Sequence, residues 1–236
     1  MYAMQMDQLA ALLTDRGGPA DKAASLARGM VARWRAAGYT ESKQLSLGEP
    51  WVWATRKGLD ACGLGTRLVT PTARNLRHTH AVTDVRLAVQ RATVWREGRA
   101  WWRSERLIWS GLEYSVSTQH VPDGEVHWPA ESGLPWAGEV WAMEVEISRK
   151  TVAQSAKIMR EALTQTGGAR GVPSGAPVPG LAPRYARLVY VCAPTSVQRL
   201  LNARAEVGSP LSARIDIYDL PASAMRFDSL KRGRQS

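Results

Sequence analysis

The sequence predicts an α/β (α+β) protein: a helical, basic N-terminal part followed by alternating strands and helices. Three observations lead there. Residues 4–15 and 21–37 carry apolar side chains at helical spacing on either side of a Gly/Pro break. Residues 138–148, GEVWAMEVEIS, alternate instead with a period of two. Residues 186–193, ARLVYVCA, are nearly continuous in apolar residues, the pattern of a strand buried on both faces.

Composition narrows the class. The 236 residues suffice for one large domain, or a small one and a medium one. With 31 Lys+Arg against 21 Asp+Glu, the net charge of +10 favours polyanions, either nucleic acid or an acidic membrane face. No run is long and apolar enough to span a bilayer, and no signal-peptide core is present at the start. Cys62 and Cys192 read as two reduced thiols of a cytoplasmic protein. No Cys/His spacing suggests zinc. Ten tryptophans against one phenylalanine is an unusual balance; most should be core or partly buried, and stacking on bases does not follow from their number.

Residues 4–15 place Leu9, Leu12 and Leu13 on one helical face. Asp21 is placed to cap a second helix, whose apolar stripe is Leu26, Met30, Trp34 and Ala37. Gly38 stops that helix. Strands at 43–47 and 51–55 then flank a Gly48-Glu49-Pro50 turn. Helix, turn, helix and basic hairpin is the outline of a winged helix-turn-helix, expected over residues 1–62. There a recognition helix enters the major groove of double-stranded DNA and the hairpin touches backbone. On that reading Arg28, Arg33, Arg35, Lys43, Arg56 and Lys57 contact phosphates or bases. The same outline also serves in protein-interaction modules. Many winged helices act as dimers, which leaves a homodimer as an open expectation.

Residues 63–236 form the second expected domain. After a connector, a helix spans 75–91 with Val82, Val85, Leu87 and Val89 toward its packed side. His80 and Asp84, at i and i+4, share a face, and Asp84 is a candidate to face the acids described below. His78 and His80 diverge by about 200° on a helix, which argues against a metal pair. Residues 95–110 read as a hairpin or a turn into a strand. Within them Glu105 either joins the acids or pairs with Arg103 or Arg106.

The centre of the chemistry is 120–150. Pro122-Asp123 leads into a candidate strand at 124–128, and a Pro/Gly-rich stretch suits a hairpin into 138–148. There Trp141, Met143, Val145 and Ile147 share one face, so Glu144 and Glu146 share the other. Asp123 then lies near both. Three close carboxylates repel, and a divalent cation, Mg²⁺ or Mn²⁺, offsets the cost. Lys150 follows Glu146 by four residues, where strand gives way to helix. Carboxylates, a metal and a lysine suit phosphodiester cleavage: the metal lowers the pKa of a water and the cations stabilise phosphate charge. The plain alternative is an amphipathic strand with a solvated glutamate face.

Beyond it, 151–164 reads as a helix, 166–184 as a mobile Gly/Pro loop, 195–205 as a helix and 214–218 as a last strand. The tail KRGRQS reads as basic and frayed.

The order helix, three strands, helix, strand, helix, strand, with Pro122-Asp123 and Glu144 on neighbouring strands, resembles the PD-(D/E)XK nuclease-like fold and its αβββαβ core. Glu146 stands where that pattern has lysine, and Lys150 could supply the ammonium from the next helix. The segments HAVTDVR at 80–86, WRSER at 102–106, HVPDG at 120–124 and EVEISRK at 144–150 also resemble the replication-relaxation family of Gram-positive mobile elements. That resemblance implies a DNA-associated protein of plasmid or integrative-element replication or mobilisation. Asp123, Glu144 and Glu146 would then bind metal, Lys150 would stabilise phosphate, and Glu105 would be the upstream acid. A non-catalytic DNA-binding regulator or initiator accessory protein on the same fold is the main alternative. A tyrosine relaxase using Tyr114 or Tyr185, and an adaptor using exposed tryptophans, are more distant ones.

Overall fold

The computed structural model describes residues 3–15, 17, 19, 21–45, 49–110, 120–165 and 183–220. It is a mixed α/β structure with two sheets. Its contacts divide the chain into two compact units, Met1–Leu87 and Ala88–Ser236. Most of the 166–184 loop, the basic tail and Tyr114 lie outside the described residues.

The first unit begins with strand β1 (Ala3–Gln5), helix α1 (Met6–Asp15) and helix α2 (Ala23–Ala36). Strands β2 (Thr40–Lys43) and β3 (Trp51–Ala54) follow, then the short helix α3 (Arg56–Ala61). The three strands form an antiparallel sheet in the order β1-β3-β2. Met6, Leu9, Ala27, Val31 and Val52 close a small core between the helices and β3.

Several local expectations are corrected here. Lys22, not Asp21, is the N-cap of α2, and no side chain caps it. The buried stripe of α2 is Ala23, Ala27 and Val31, with Trp34 beside it, while Leu26 is 44% exposed. Small residues at i, i+4 and i+8 bring α2 close to its neighbours, and the larger Leu26 is left outside. The first hairpin strand lies at 40–43 rather than 43–47, following directly on the Gly38 that stops α2 as expected. Its C-terminus is a Schellman turn: Gly38, at φ +74°, donates to Arg35, and Tyr39 donates to Trp34 at 2.8 Å. Arg56 and Lys57 open α3 instead of trailing the hairpin. Gly58 lets α3 approach Tyr39, since a Cβ there would lie 2.0 Å from the Tyr39 carbonyl oxygen.

Helix α4 (Ala73–Arg91) contains the division between the units. The second unit continues with α5 (Thr93–Glu97), β4 (Trp101–Ser104) and α6 (Glu105–Ser110). Of the two expectations for residues 95–110, the hairpin does not occur and the turn into a strand does, at Gly98–Arg99 and β4, with short helices on either side. Next come β5 (Gly124–His127), β6 (Val140–Glu146), α7 (Val152–Thr164), β7 (Arg187–Cys192), α8 (Pro194–Val207) and β8 (Ile215–Asp219). The five strands lie in the order β4-β5-β6-β7-β8. β4, β5 and β6 pair antiparallel, while β6, β7 and β8 pair parallel, so β5 alone runs against the rest. Parallel neighbours need crossovers, and α7 and α8 supply them.

Register assigns the faces. Ala142, Glu144 and Glu146 share one with Glu125 on β5 and with Leu188, Tyr190 and Cys192 on β7. α7 and α8 cover much of it, packing Ala156, Met159, Leu163, Leu200 and Ala203 against Ala142, Leu188 and Tyr190. Hence β6 is buried on both faces, and the plain alternative of a solvated glutamate face does not occur. The other side holds a tryptophan cluster. Trp128 lies 5.1 Å from Trp141 and 5.6 Å from Trp136, ring centre to ring centre, with Trp95 at 6.4 Å. Seven of the ten tryptophans are buried; Trp101 and Trp109 are exposed.

Candidate functional site

Three segments build the site: the run into β5, the end of β6 and the turn before α7. Asp123 precedes Gly124, which opposes Met143. Its Oδ2 accepts the Val145 backbone N–H at 2.8 Å, which fixes the carboxylate beside β6 next to Glu144. Glu144 is 4% exposed, and its Oε1 lies 2.5 Å from Nε2 of His120. Glu146 is 2% exposed. Its Oε1 accepts from the Ser148 backbone and hydroxyl at 2.8 and 2.7 Å, and its Oε2 accepts from Lys150 Nζ at 2.5 Å. Thr151 then starts α7 with a reciprocal capping box to Gln154. That box fixes where the turn carrying Lys150 ends.

The electrostatics differ between the two glutamates. Burial is the largest influence on Glu144 and pushes its carboxyl up; the Asp123 charge adds to this, and His120 and Lys150 oppose it. Burial also disfavours charge on His120, but the bond to Glu144 and the Glu144 and Asp123 charges outweigh it, so the imidazole is raised. Both groups are thus pushed toward their protonated forms, and they meet across the 2.5 Å contact. At Glu146 burial again works against the charge, yet the Lys150 and Ser148 bonds prevail and hold the carboxyl below the usual range. Tyr190, facing both glutamates, has its hydroxyl pushed up by burial and then by their charges.

The sequence therefore placed Asp123, Glu144, Glu146 and Lys150 in one neighbourhood, and the structure brings them there. The roles within it differ from the simple expectation of three converging ligands. Glu146 is engaged by Lys150 and Ser148, and Asp123 lies with Glu144. Among the described residues, no group of three or more His, Cys, Asp or Glu side chains is placed to hold a metal ion. Asp123 and Glu144 are the carboxylates that could hold Mg²⁺ or Mn²⁺, hard cations commonly held by one or two carboxylates with water and phosphate oxygens completing the shell, and an ion there would have to displace His120 from Glu144.

Glu105 stands exposed at the start of α6. Its backbone N–H donates to the Asp123 carbonyl at 3.3 Å, and its carboxylate accepts the Trp109 indole at 3.4 Å. Asp84 is taken up by His80 at 3.1 Å and Gln8 at 2.7 Å within the first unit. Tyr185 is buried and donates to Glu125 at 2.8 Å. Burial and then the Glu125 charge push its hydroxyl up, which unsuits it as a nucleophile.

His120 and Glu125 are the residues that sequence reasoning missed. Glu125 is fully buried and gathers Arg184 Nε at 2.9 Å, His127 Nε2 at 2.9 Å, Tyr185 and, at 3.6 Å, Arg103. Burial works against its charge, but these partners overcome it and hold the carboxyl at about 2. The signal was available: Glu125 and His127 are two apart on a strand, as Glu144 and Glu146 are.

In the first unit, Arg28, Arg33, Arg35, Lys43, Arg56 and Lys57 are all exposed. Arg35 and Lys43 line an open cleft of about 760 Å³ between the end of α2 and the β2–β3 sheet. Lys57 donates to the Ala37 carbonyl at 2.8 Å and Arg56 to the Thr66 carbonyl at 3.0 Å, so both also hold the fold. No helix among the described residues is long and apolar enough to cross a membrane. No family model matches the chain, and no curated protein or solved structure matches it.

Proposed function

We propose that the chain is a DNA-binding protein of plasmid or mobile-element replication or mobilisation, with a first unit that binds duplex and a second that nicks it. One observation carries the reading: a proline-led Asp123 tied to the backbone of β6 beside Glu144, with Lys150 close enough to act electrostatically on Glu144. The element order of the second unit supports a PD-(D/E)XK nuclease-like domain. The β1–α1–α2–β2–β3 order and the β1-β3-β2 sheet support a winged helix-turn-helix in the first. There α2 is the recognition helix, and Arg28, Arg33 and Arg35 project from it into solvent.

Mg²⁺ or Mn²⁺ would be held by Asp123 and Glu144, and such a cation lowers the pKa of a bound water and neutralises phosphate charge. Glu146 orients the Lys150 ammonium, which stabilises charge on the phosphate as it develops. Without a cation, His120 holds Glu144 in place. Supercoiled plasmid incubated with Mg²⁺ or Mn²⁺ tests this. Conversion to open circles is expected, with loss of about 10²-fold or more in Asp123→Ala and Glu144→Ala. Equal cutting by both variants would exclude the site.

A second reading, a non-catalytic regulator or initiator accessory protein, is favoured by the pairing of Glu144 with His120 and Glu146 with Lys150. Protein groups already offset both charges there. Specific, metal-independent duplex binding without cleavage would select it.

A further inference from the structure

Trp101 is 49% exposed, on the outermost strand of the five-stranded sheet. An indole in solvent is ordinarily free to turn. This one is not: its ring lies flat on His127, its cross-strand neighbour, at 3.8 Å between centres and 13° between planes. His127 is itself fixed, because its Nε2 meets the buried Glu125 carboxylate at 2.9 Å. Glu125 is locked in turn by Arg184 and Tyr185. A chain of hydrogen bonds into the sheet therefore backs one face of the indole, while the residue stays half-exposed.

The surroundings are cationic. Arg184 and Arg103 together outnumber the single Glu125 charge. Arg96, at the end of α5, and Arg99, in the turn that leads into β4, stand exposed. Residues 96–106 carry four arginines against two glutamates, and a rigid aromatic plane on such a segment suits a planar ring carried on a polyanion. An unpaired nucleobase in single-stranded DNA has that chemistry, since every base offers a π face and stacking is tolerant of sequence. An acidic partner would answer the charge but leave the plane unused.

We propose that Trp101, stacked on His127, is a platform for an unpaired base of single-stranded DNA. Its residues are neither among the duplex contacts proposed for the first unit nor those of the Asp123–Glu144 site. The inference rests on the DNA-binding reading and adds a second, strand-selective contact to it.

Fluorescence anisotropy with a labelled thymine oligonucleotide and a labelled duplex of equal length tests it on the full chain. Trp101→Ala is expected to weaken single-strand binding about 5- to 150-fold, the range for losing one base stack, and to leave duplex binding unchanged. Trp101→Phe keeps a smaller aromatic plane and should recover most of the loss. Thermal melting controls for folding, since a half-exposed ring contributes little to the core. Equal single-strand affinity in wild type and Trp101→Ala overturns the platform while duplex binding upholds the parent reading. Absence of binding to either DNA overturns both. A change in sedimentation of Trp101→Ala would make the plane a contact between copies of this chain and would overturn the proposal as well.

Discussion

Glu125 shows how much one buried carboxylate decides. A charge taken out of water costs several kcal/mol unless its partners are well placed, and here four side chains answer it. Glu125→Gln removes the charge and strands the Arg184 guanidinium, so a loss of about 3–5 kcal/mol is expected in urea unfolding at neutral pH. The sign with pH follows from the depressed value. The carboxyl sits at about 2 when folded and 4.5 otherwise, so its stabilisation is complete above 4.5 and fades as pH falls toward 2. That part of the acid-unfolding profile should flatten in Glu125→Gln. Of these partners only His127, two residues along the strand, was legible from local sequence, because Arg184 and Tyr185 lie 59 and 60 residues away. The shared face of Glu144 and Glu146 was legible, because period-two alternation is a local property. Their burial was not, since it is imposed by Ala156, Met159 and Leu200 on the helices that cover β6.

At the scale of elements, long periodic segments read well and short ones did not. α4, α7, β7 and α8 fall close to their expected positions because each carries a sustained pattern. In residues 95–110 the turn into a strand was read but the flanking helices were missed, because the aromatics favour strand and α5 and α6 have five and six residues, too few to display a 3.6 period. Such pieces are held by tertiary contact; the Glu105 backbone N–H at the start of α6, for example, donates to the Asp123 carbonyl at 3.3 Å. Two substitutions test element-level packing. Thr151→Ala removes half of the capping box of α7 and should cost about 1 kcal/mol in chemical denaturation. Gly124→Ala sets a Cβ 2.2 Å from the Trp102 ring, so β5 and the indole must separate. A cost of about 1–3 kcal/mol is expected in the same assay.

At the scale of the whole molecule, the +10 charge is the property the sequence announces most directly. If the exposed cations of α2 and β2 neutralise phosphates, duplex affinity must fall steeply with salt, as bound counterions are released. Arg33→Ala should reduce the slope of log K against log salt by about 1 and weaken binding similarly across sequences. A slope unchanged by that substitution would remove Arg33 from the interface. Arg56 and Lys57 should behave differently, since their bonds to Thr66 and Ala37 give them a structural share that salt does not touch.

The aromatic cluster of the second unit has an optical consequence. Indoles as near as Trp128, Trp136 and Trp141, tilted by 51° to 72°, couple their electronic transitions and give an exciton couplet in circular dichroism. That couplet vanishes when the rings drift apart, before helical ellipticity need change. The molecule thus carries a label-free gauge of whether the floor beneath Glu144 is still assembled.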